Sequence, residues 1–392
     1  MLFILPDNVD ELLLLATGVL FLIQALYYLC LYNRILRHDR RSVRSEDRRH
    51  SAELPPLSVI LYAPDRLYDL ERNLQAVLTQ DYPSPYEVIV INDGSNDESE
   101  DYLTRLEHQY PHLYHSFVPS SSRYISRRKL AITIGIRAAK YDWVVLTEPE
   151  CRPATDQWLK LMARNFTPGV QVVLGYSGYD KGRGWEHLKL SFDNLFLSMR
   201  FLGFALAGSP YMGLGRNLAY RKELFFSHKG FSAHLDLLRG DDDLFVNQVA
   251  TRANTRVEVD SRASMRMDMP VRMQNWREEK IGYASTARLY HGLQRYVLGF
   301  ETCTRLLFYL AWIATALISL LEMQWTLGGM AILLFLLRLC LQAFVVDSSA
   351  RVLGDDRRYY LSLPVFDVLG PMQSLNWKLS CAFRRKSEFR RK

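Results

Sequence analysis

Four acidic residues stand where an α/β chain places its chemistry. Asp65 follows the apolar run 57–62, Asp93 follows the run 86–91, and Glu148 and Glu150 follow the run 143–147. In an open parallel sheet, ligands bind beyond the carboxyl ends of the strands. Carboxylates on that edge can hold a hard cation, accept hydrogen bonds from a sugar or base, or move protons. A phosphate-bearing ligand would need a metal and cations such as Arg127, Arg128 and Lys129. Further on, Asp241, Asp242 and Asp243 are adjacent. Like charges disfavour ionising together, so one of the three keeps a proton affinity suited to a general base. Each feature also has a plainer reading. The triple aspartate is a solvated loop or the cap of a helix starting near Leu244, and Asp93-Gly-Ser or Glu148-Pro-Glu150 alone is a turn. Only their order along one chain separates these readings.

The elements that must position them can be read from the apolar pattern. The run 57–62 is a buried strand stopped by Pro64, and Leu67, Leu70, Leu74, Val77 and Leu78 then recur at helical spacing. The pattern predicts strands over 86–91, 114–118 and 143–147, helices over 98–109, 128–139 and 158–166, and an extended segment over 170–174. Strands alternating with helices imply a mostly parallel sheet with covered faces. Neither a GxGxxG after the first strand nor a GxxxxGK[ST] is present, which weighs against dinucleotide-binding and P-loop folds.

The 392 residues are 48% hydrophobic and 23% charged, which excludes overall disorder. The net charge of +7 is local: segment 34–49 carries +4 and segment 384–392 carries +5, leaving −2 on everything else. A nucleic-acid-binding domain carries its positive charge on the folded body, so no nucleic-acid partner is expected. The five cysteines are scattered without a CxxC pair, which suggests neither a disulfide framework nor a zinc site.

Residues 12–32 form an apolar run of 21 residues, roughly 30 Å as a helix and enough to cross a bilayer. The acidic residues before it and the missing cleavage site argue against a signal peptide. The arginines after Tyr32 place that side in the cytoplasm by the positive-inside rule. Two more runs, 303–321 and 327–346, form a hairpin that returns the basic C-terminus to the same side. The expected organisation is an anchor (1–33), a basic juxtamembrane linker (34–54), a cytoplasmic catalytic domain (55–300), a membrane hairpin (301–347) and an interfacial amphipathic segment with a basic tail (348–392). Arg338 inside the third span is either a functional charge or one that snorkels to the interface. Segment 185–206 is either an amphipathic helix on the membrane face or a core helix.

In this order the motifs resemble those of the membrane-anchored family 2 glycosyltransferases, whose fold is GT-A: Rossmann-like, with a mostly parallel sheet. The strand ending in Asn92-Asp93-Gly94-Ser95 is similar to that family's nucleotide-binding strand, and the turn Gln80-Asp81-Tyr82-Pro83 before it is similar too. Lys129-Leu130-Ala131 with Gly135 resembles the segment lying along the nucleotide. The resemblance implies nucleotide contacts from Asp93, Asp65, Lys129 and Glu148. Glu148-Pro149-Glu150 stands where the family has Asp-x-Asp, implying Glu150 and Glu148 as ligands of Mg2+ or Mn2+. Gly213-Leu214-Gly215-Arg216-Asn217 resembles the acceptor loop, so Gly215, Arg216, Asn217 and Trp276 are the implied acceptor contacts. Gly240-Asp241-Asp242-Asp243 resembles the base motif, with Asp242 the implied base and Asp241 its nearest rival.

Three departures qualify the resemblance, which covers about residues 55–300. Glutamates replace aspartates around Pro149, the first loop reads Pro64-Asp65-Arg66, and the Gln-x-x-Arg-Trp signature of polymerising members is absent after Trp276. The last argues against a processive synthase. The expected activity is inverting transfer of one sugar from a nucleotide sugar to a lipid-linked or cell-surface glycan acceptor at the inner membrane. The rival is a membrane-tethered scaffold that keeps the fold, binds nucleotide sugar and has lost catalysis; a transporter is disfavoured by so few spans.

Overall fold

The computed structural model describes residues 9–46 (backbone only for 41–46), 54–118, 126–270 and 273–383. The basic tail, the last part of the basic linker and the first eight residues expected in the anchor lie outside these.

A seven-stranded sheet forms the centre, in the order β3-β2-β1-β4-β8-β6-β9. Its strands are β1 (Leu57–Ala63), β2 (Tyr86–Asn92), β3 (Leu113–Phe117), β4 (Trp143–Thr147), β6 (Val172–Leu174), β8 (Leu218–Arg221) and β9 (Thr255–Val257). The pairs β1–β2, β1–β4, β2–β3 and β6–β9 are parallel, and β8 runs antiparallel to both β4 and β6. A second sheet joins β5 (Cys151–Pro153), β7 (Ser177–Tyr179) and β10 (Met265–Met267), with β10 in the middle and β5 following β4 closely in sequence. Every residue of β4 is buried, as a central strand covered on both faces requires.

Helices α3 (Leu67–Leu78), α4 (Ser99–Gln109), α5 (Arg127–Ala138) and α6 (Trp158–Ala163) follow strands in the expected alternation. Helix α5 lies so close to β1 that a Cβ on Gly135 would sit 2.7 Å from Ile60 Cγ2. Gly135 thus serves helix–sheet packing here. Helix α7 (Trp185–Leu206) is a core helix: Leu190, Leu195, Met199, Phe201 and Leu202 are all buried. Three short or medium helices complete this body, namely α8 (Lys222–Ser227), α9 (Asp243–Val249) and α10 (Met273–Thr286).

Among the described residues, three helical stretches are long and apolar enough to cross a membrane: Val9–Arg40, Gln294–Leu321 and Trp325–Val352. The first comprises α1 (Val9–Leu26), a π-helical turn (Tyr27–Tyr32) and the start of α2 (Arg34–Glu46). Where the charge pattern read as a linker, the chain stays helical to Glu46, because Ile35 and Leu36 are buried and α2 packs on α7. Helices α11 (Gln294–Leu321) and α12 (Trp325–Val352) form the hairpin, and α1 packs against both. Leu12, Leu15, Val19, Leu22 and Leu26 face outward, whereas Gln24 turns inward to Thr304 Oγ1 at 2.8 Å.

Arg338 is neither snorkelling nor isolated. Its guanidinium donates to Asp367 Oδ2 at 2.6 Å and to the Tyr309 hydroxyl at 2.9 Å. Asp367 belongs to α13 (Leu363–Phe383), one helix that continues through Gly370 and Pro371. Its carboxylate also takes the Tyr309 hydroxyl at 2.7 Å and Gln342 Nε2 at 3.1 Å. Nearby Glu301 of α11 pairs with Arg305 one turn on and with Arg200 of α7 at 2.5 Å. Buried charges persist where each has a hydrogen-bonded partner of opposite sign. This chain of pairs fastens the spans to α13 on one side and to the α/β body on the other.

Candidate active site

The glutamate pair owes its presentation to a tight turn. Pro149 occupies the second position of a turn closed by Cys151 N donating to Glu148 O at 2.9 Å, the position for which its fixed φ is suited. Asn73 of α3 donates to Pro149 O at 2.9 Å and pins the turn from behind. Glu148 is bridged on both sides: Arg128 Nη2 lies 2.5 Å from Oε1 and Arg216 Nε lies 3.3 Å from Oε2. Burial alone would raise the Glu148 carboxyl, but these two guanidinium groups hold it well below the usual range. Burial, and then the charge of Glu148, pushes the Glu150 carboxyl up to about 7.

The two arginines extend the pairing across the cleft. Arg128 Nε contacts Asp241 Oδ2 at 2.6 Å, and Arg216 Nη2 contacts Glu279 Oε2 at 2.7 Å. A ladder of alternating charge, Asp241–Arg128–Glu148–Arg216–Glu279, therefore runs from the turn before α9 to α10. Carboxylates in this spacing would repel one another without the guanidinium groups between them.

Asp242 caps α9. Its Oδ1 accepts Asp243 N at 2.7 Å, and its Oδ2 accepts Gly215 N at 3.1 Å and the Tyr283 hydroxyl at 3.0 Å. Gly240 sits at φ +99, where a Cβ would meet Leu244 Cδ1 at 2.5 Å, so the turn into α9 requires glycine. The cap reading and the carboxylate-cluster reading are thus both satisfied by one residue. Burial, then the neighbouring Asp241 and Asp243, pushes the Asp242 carboxyl up to about 7. Asp243 is buried and accepts hydrogen bonds from Thr286 and, at 2.7 Å, from Tyr290.

Asp93 stands at the end of β2, in a turn made by Asn92 Oδ1 accepting Ser95 N at 3.1 Å with Gly94 at φ +63. Its carboxylate accepts Tyr62 Oη at 2.5 Å and Arg127 Nε at 2.5 Å. Asp65 has a left-handed backbone (φ 45) and ties the first loop to the second, its Oδ1 accepting Asn96 N at 2.7 Å. Ile60, Tyr62, Arg128, Ile132, Leu146, Thr147, Glu148 and Gly215 line a small recess between the β1 and β4 ends.

The structure therefore gathers Glu148, Glu150, Asp241, Asp242, Gly215 and Arg216 at one strand edge, with Asp93 beside Tyr62 and Arg127. It gives three expected contacts other work. Lys129 is buried with Nζ donating to His234 O at 2.5 Å and Leu237 O at 3.0 Å, and burial pushes it down to about 8. Asn217 donates to Tyr176 O and Ala263 O and accepts the Trp158 indole N–H. Trp276 packs edge-on against Trp377 of α13, with ring centroids 5.5 Å apart. Glu279 and Tyr283 escaped notice in the sequence, although four-residue spacing on one helix face was the available signal.

A divalent cation can be tested against these residues. Among the described residues, no three His, Cys, Asp or Glu side chains converge as a ready-made metal cage. Glu148 and Glu150 nevertheless fit in donor chemistry: they are hard oxygen donors, burial and then the charge of Glu148 raise the Glu150 carboxyl to about 7, and no ion pair among the described residues engages Glu150. Mg2+ is commonly held by one or two carboxylates plus substrate phosphates, so two suffice.

Comparison with known proteins bears on what this edge serves. The structure is similar to that of mannosyltransferase PcManGT from Pyrobaculum calidifontis in complex with GDP-Man and Mn2+, at 17% identity and a TM-score of 0.52, covering 94% of this chain and 98% of that one. At that identity the likeness establishes the fold: mixed α/β with a mostly parallel sheet. No curated protein matches the chain. The resemblance of the motifs to glycosyltransferases holds at that level but stops short of family 2, because the family whose model fits is a different one. Residues 19–366 match the model of glycosyl transferase family 21, and the chain belongs to that family.

Proposed function

We propose that the chain is an inverting, non-processive glycosyltransferase moving one sugar from a nucleotide sugar to a lipid-linked or surface-glycan acceptor, with Asp242 as base. The observation that carries this is the convergence of Asp242, Asp241, Glu148 and Glu150 around Arg128 at the strand ends. In the step, the acceptor oxygen forms a bond to the anomeric carbon while the bond from that carbon to the diphosphate oxygen breaks. The hydroxyl proton passes to Asp242, and the bonding electron pair leaves with the nucleoside diphosphate. A buried carboxyl with affinity near neutrality suits that proton transfer.

Asp93 orients the nucleotide, and Arg127 and Arg128 are placed for its phosphates once they exchange partners with it. Glu150, with Glu148, would hold Mg2+ or Mn2+, which supplies charge neutralisation to the departing diphosphate. The GDP-Man and Mn2+ of the structural neighbour support a nucleotide-diphosphate sugar and a divalent ion. Gly215 and Arg216 form the acceptor side of the base. The body and the C-terminus face the cytoplasm, as the basic segments flanking the spans indicate. The outward apolar side chains Val365, Met372, Leu375 and Leu379 of α13 fit an interfacial helix.

The test is to purify the chain in detergent, offer a panel of nucleotide sugars and acceptors with Mg2+ or Mn2+, and follow nucleoside diphosphate release. Metal-dependent release coupled to glycosylated product supports the proposal. Tight donor binding without transfer to any acceptor supports the scaffold reading, for which the full pairing of Glu148 by two arginines is the specific observation.

A further inference from the structure

Helix α10 meets the aspartate turn with one face. Glu279, Tyr283 and Thr286, spaced by four and three residues, reach Arg216, Asp242 and Asp243 respectively. Helix α13 holds α10 through the Trp276–Trp377 contact and through Cys381 Sγ donating to Ile281 O at 3.2 Å. The register of α10 is thus pinned by the aspartate turn and by α13, and Tyr283 has a defined place.

That place decides which oxygen of Asp242 is free. A carboxylate offers about four lone-pair positions, two on each oxygen. Among the described residues, Oδ2 has both filled, by Gly215 N–H and by the Tyr283 hydroxyl, whereas Oδ1 has one filled, by Asp243 N–H. We infer that Tyr283 is a positioning residue for the base: with Gly215 it occupies Oδ2 of Asp242 and leaves the open lone pair of Oδ1 to receive the acceptor proton. This rests on Asp242 being the base, and it adds a second function for the hydroxyl. As a donor to the ionised carboxylate it stabilises the charged, proton-accepting form.

The charged and titratable surroundings are Asp241 and Asp243 in the same turn, Arg128 and Lys129 of α5, and Tyr290 beyond α10. Glu279, Arg216 and Glu148 face Tyr283 itself. Replacing Tyr283 by Phe removes one donor and changes none of these charges. The base works deprotonated, so losing the donor moves the acid limb of kcat/KM to higher pH.

The experiment compares the full chain in detergent with Tyr283→Phe, with 3-fluorotyrosine at position 283, and with Asp242→Asn, measuring kcat/KM from pH 5.5 to 8.5 and donor binding alongside. For Tyr283→Phe the limb should rise by about one pH unit, lowering kcat/KM about tenfold at pH 6, with donor binding unchanged. The fluorinated ring, a stronger donor of the same shape, should move the limb the other way. Loss of transfer in Asp242→Asn with an unmoved limb in both position-283 variants overturns the proposal and keeps the base. Native transfer by Asp242→Asn overturns the base assignment and the proposal with it.

Discussion

Asp367→Asn tests how the C-terminal helix is held. In the native chain the Asp367 carboxylate receives Arg338 at 2.6 Å, Tyr309 at 2.7 Å and Gln342 at 3.1 Å, with Arg305 at 3.4 Å on its other oxygen. The amide keeps the shape and one acceptor oxygen but leaves the Arg338 guanidinium buried without a counter-charge. Breaking a buried pair from one side costs about 3 to 5 kcal/mol, and the retained acceptor argues for the lower end. With 392 residues and roughly 2.1 cal/mol/K of unfolding entropy each, about 3 kcal/mol lowers the thermal midpoint by about 4 °C. The loss should be local first: hydrogen exchange across 363–383 should accelerate before exchange across the central sheet. The double variant Arg338→Met with Asp367→Leu removes both charges and should recover most of the midpoint, since a hydrophobic replacement of a buried pair is often neutral. The assay is a thermal scan in one detergent with exchange measured by mass spectrometry. An Asp367→Asn midpoint within about 1 °C of native, or a double variant less stable than the single one, refutes the reasoning.

Two further outcomes follow from the site. Because Asp242 must be ionised to accept a proton and its carboxyl is pushed up to about 7, kcat/KM should rise as pH climbs through about 7 and fall about tenfold per unit below it; a flat profile from pH 5.5 to 8 contradicts this. Glu150→Gln should raise the concentration of Mn2+ needed for half-maximal transfer by about tenfold or more, one lost charged ligand amounting to roughly 1.4 kcal/mol at least, and an unchanged metal titration removes Glu150 from the metal site.

The strand ends and their carboxylates were legible because the signals are local: an apolar run, then Asp93 or Glu148, needs no knowledge of what lies across the fold. The ladder from Asp241 to Glu279 was not, since its rungs come from α5, the β4 turn, the loop before β8 and α10. Lys129 misled for the same reason. A lysine beside two arginines suggests phosphate, but its place on the inner side of α5 carries Nζ to the His234 and Leu237 carbonyls instead. Arg338 found its partner between Pro364 and Gly370, in a stretch whose breakers hid a continuous helix. Trp276 likewise turned to α13, a contact that no spacing within residues 55–300 could announce.

Single-turnover transfer by Asp242→Asn, set beside its donor affinity in the same preparation, tests the central claim most directly. The amide oxygen can keep the cap on α9, while the amide nitrogen gives up the Gly215 N–H bond and removes the proton acceptor. Donor binding should stay close to native and the transfer rate fall by about 10²- to 10⁴-fold, the usual contribution of a positioned general base. Transfer within about threefold of native, with donor binding intact, would contradict it.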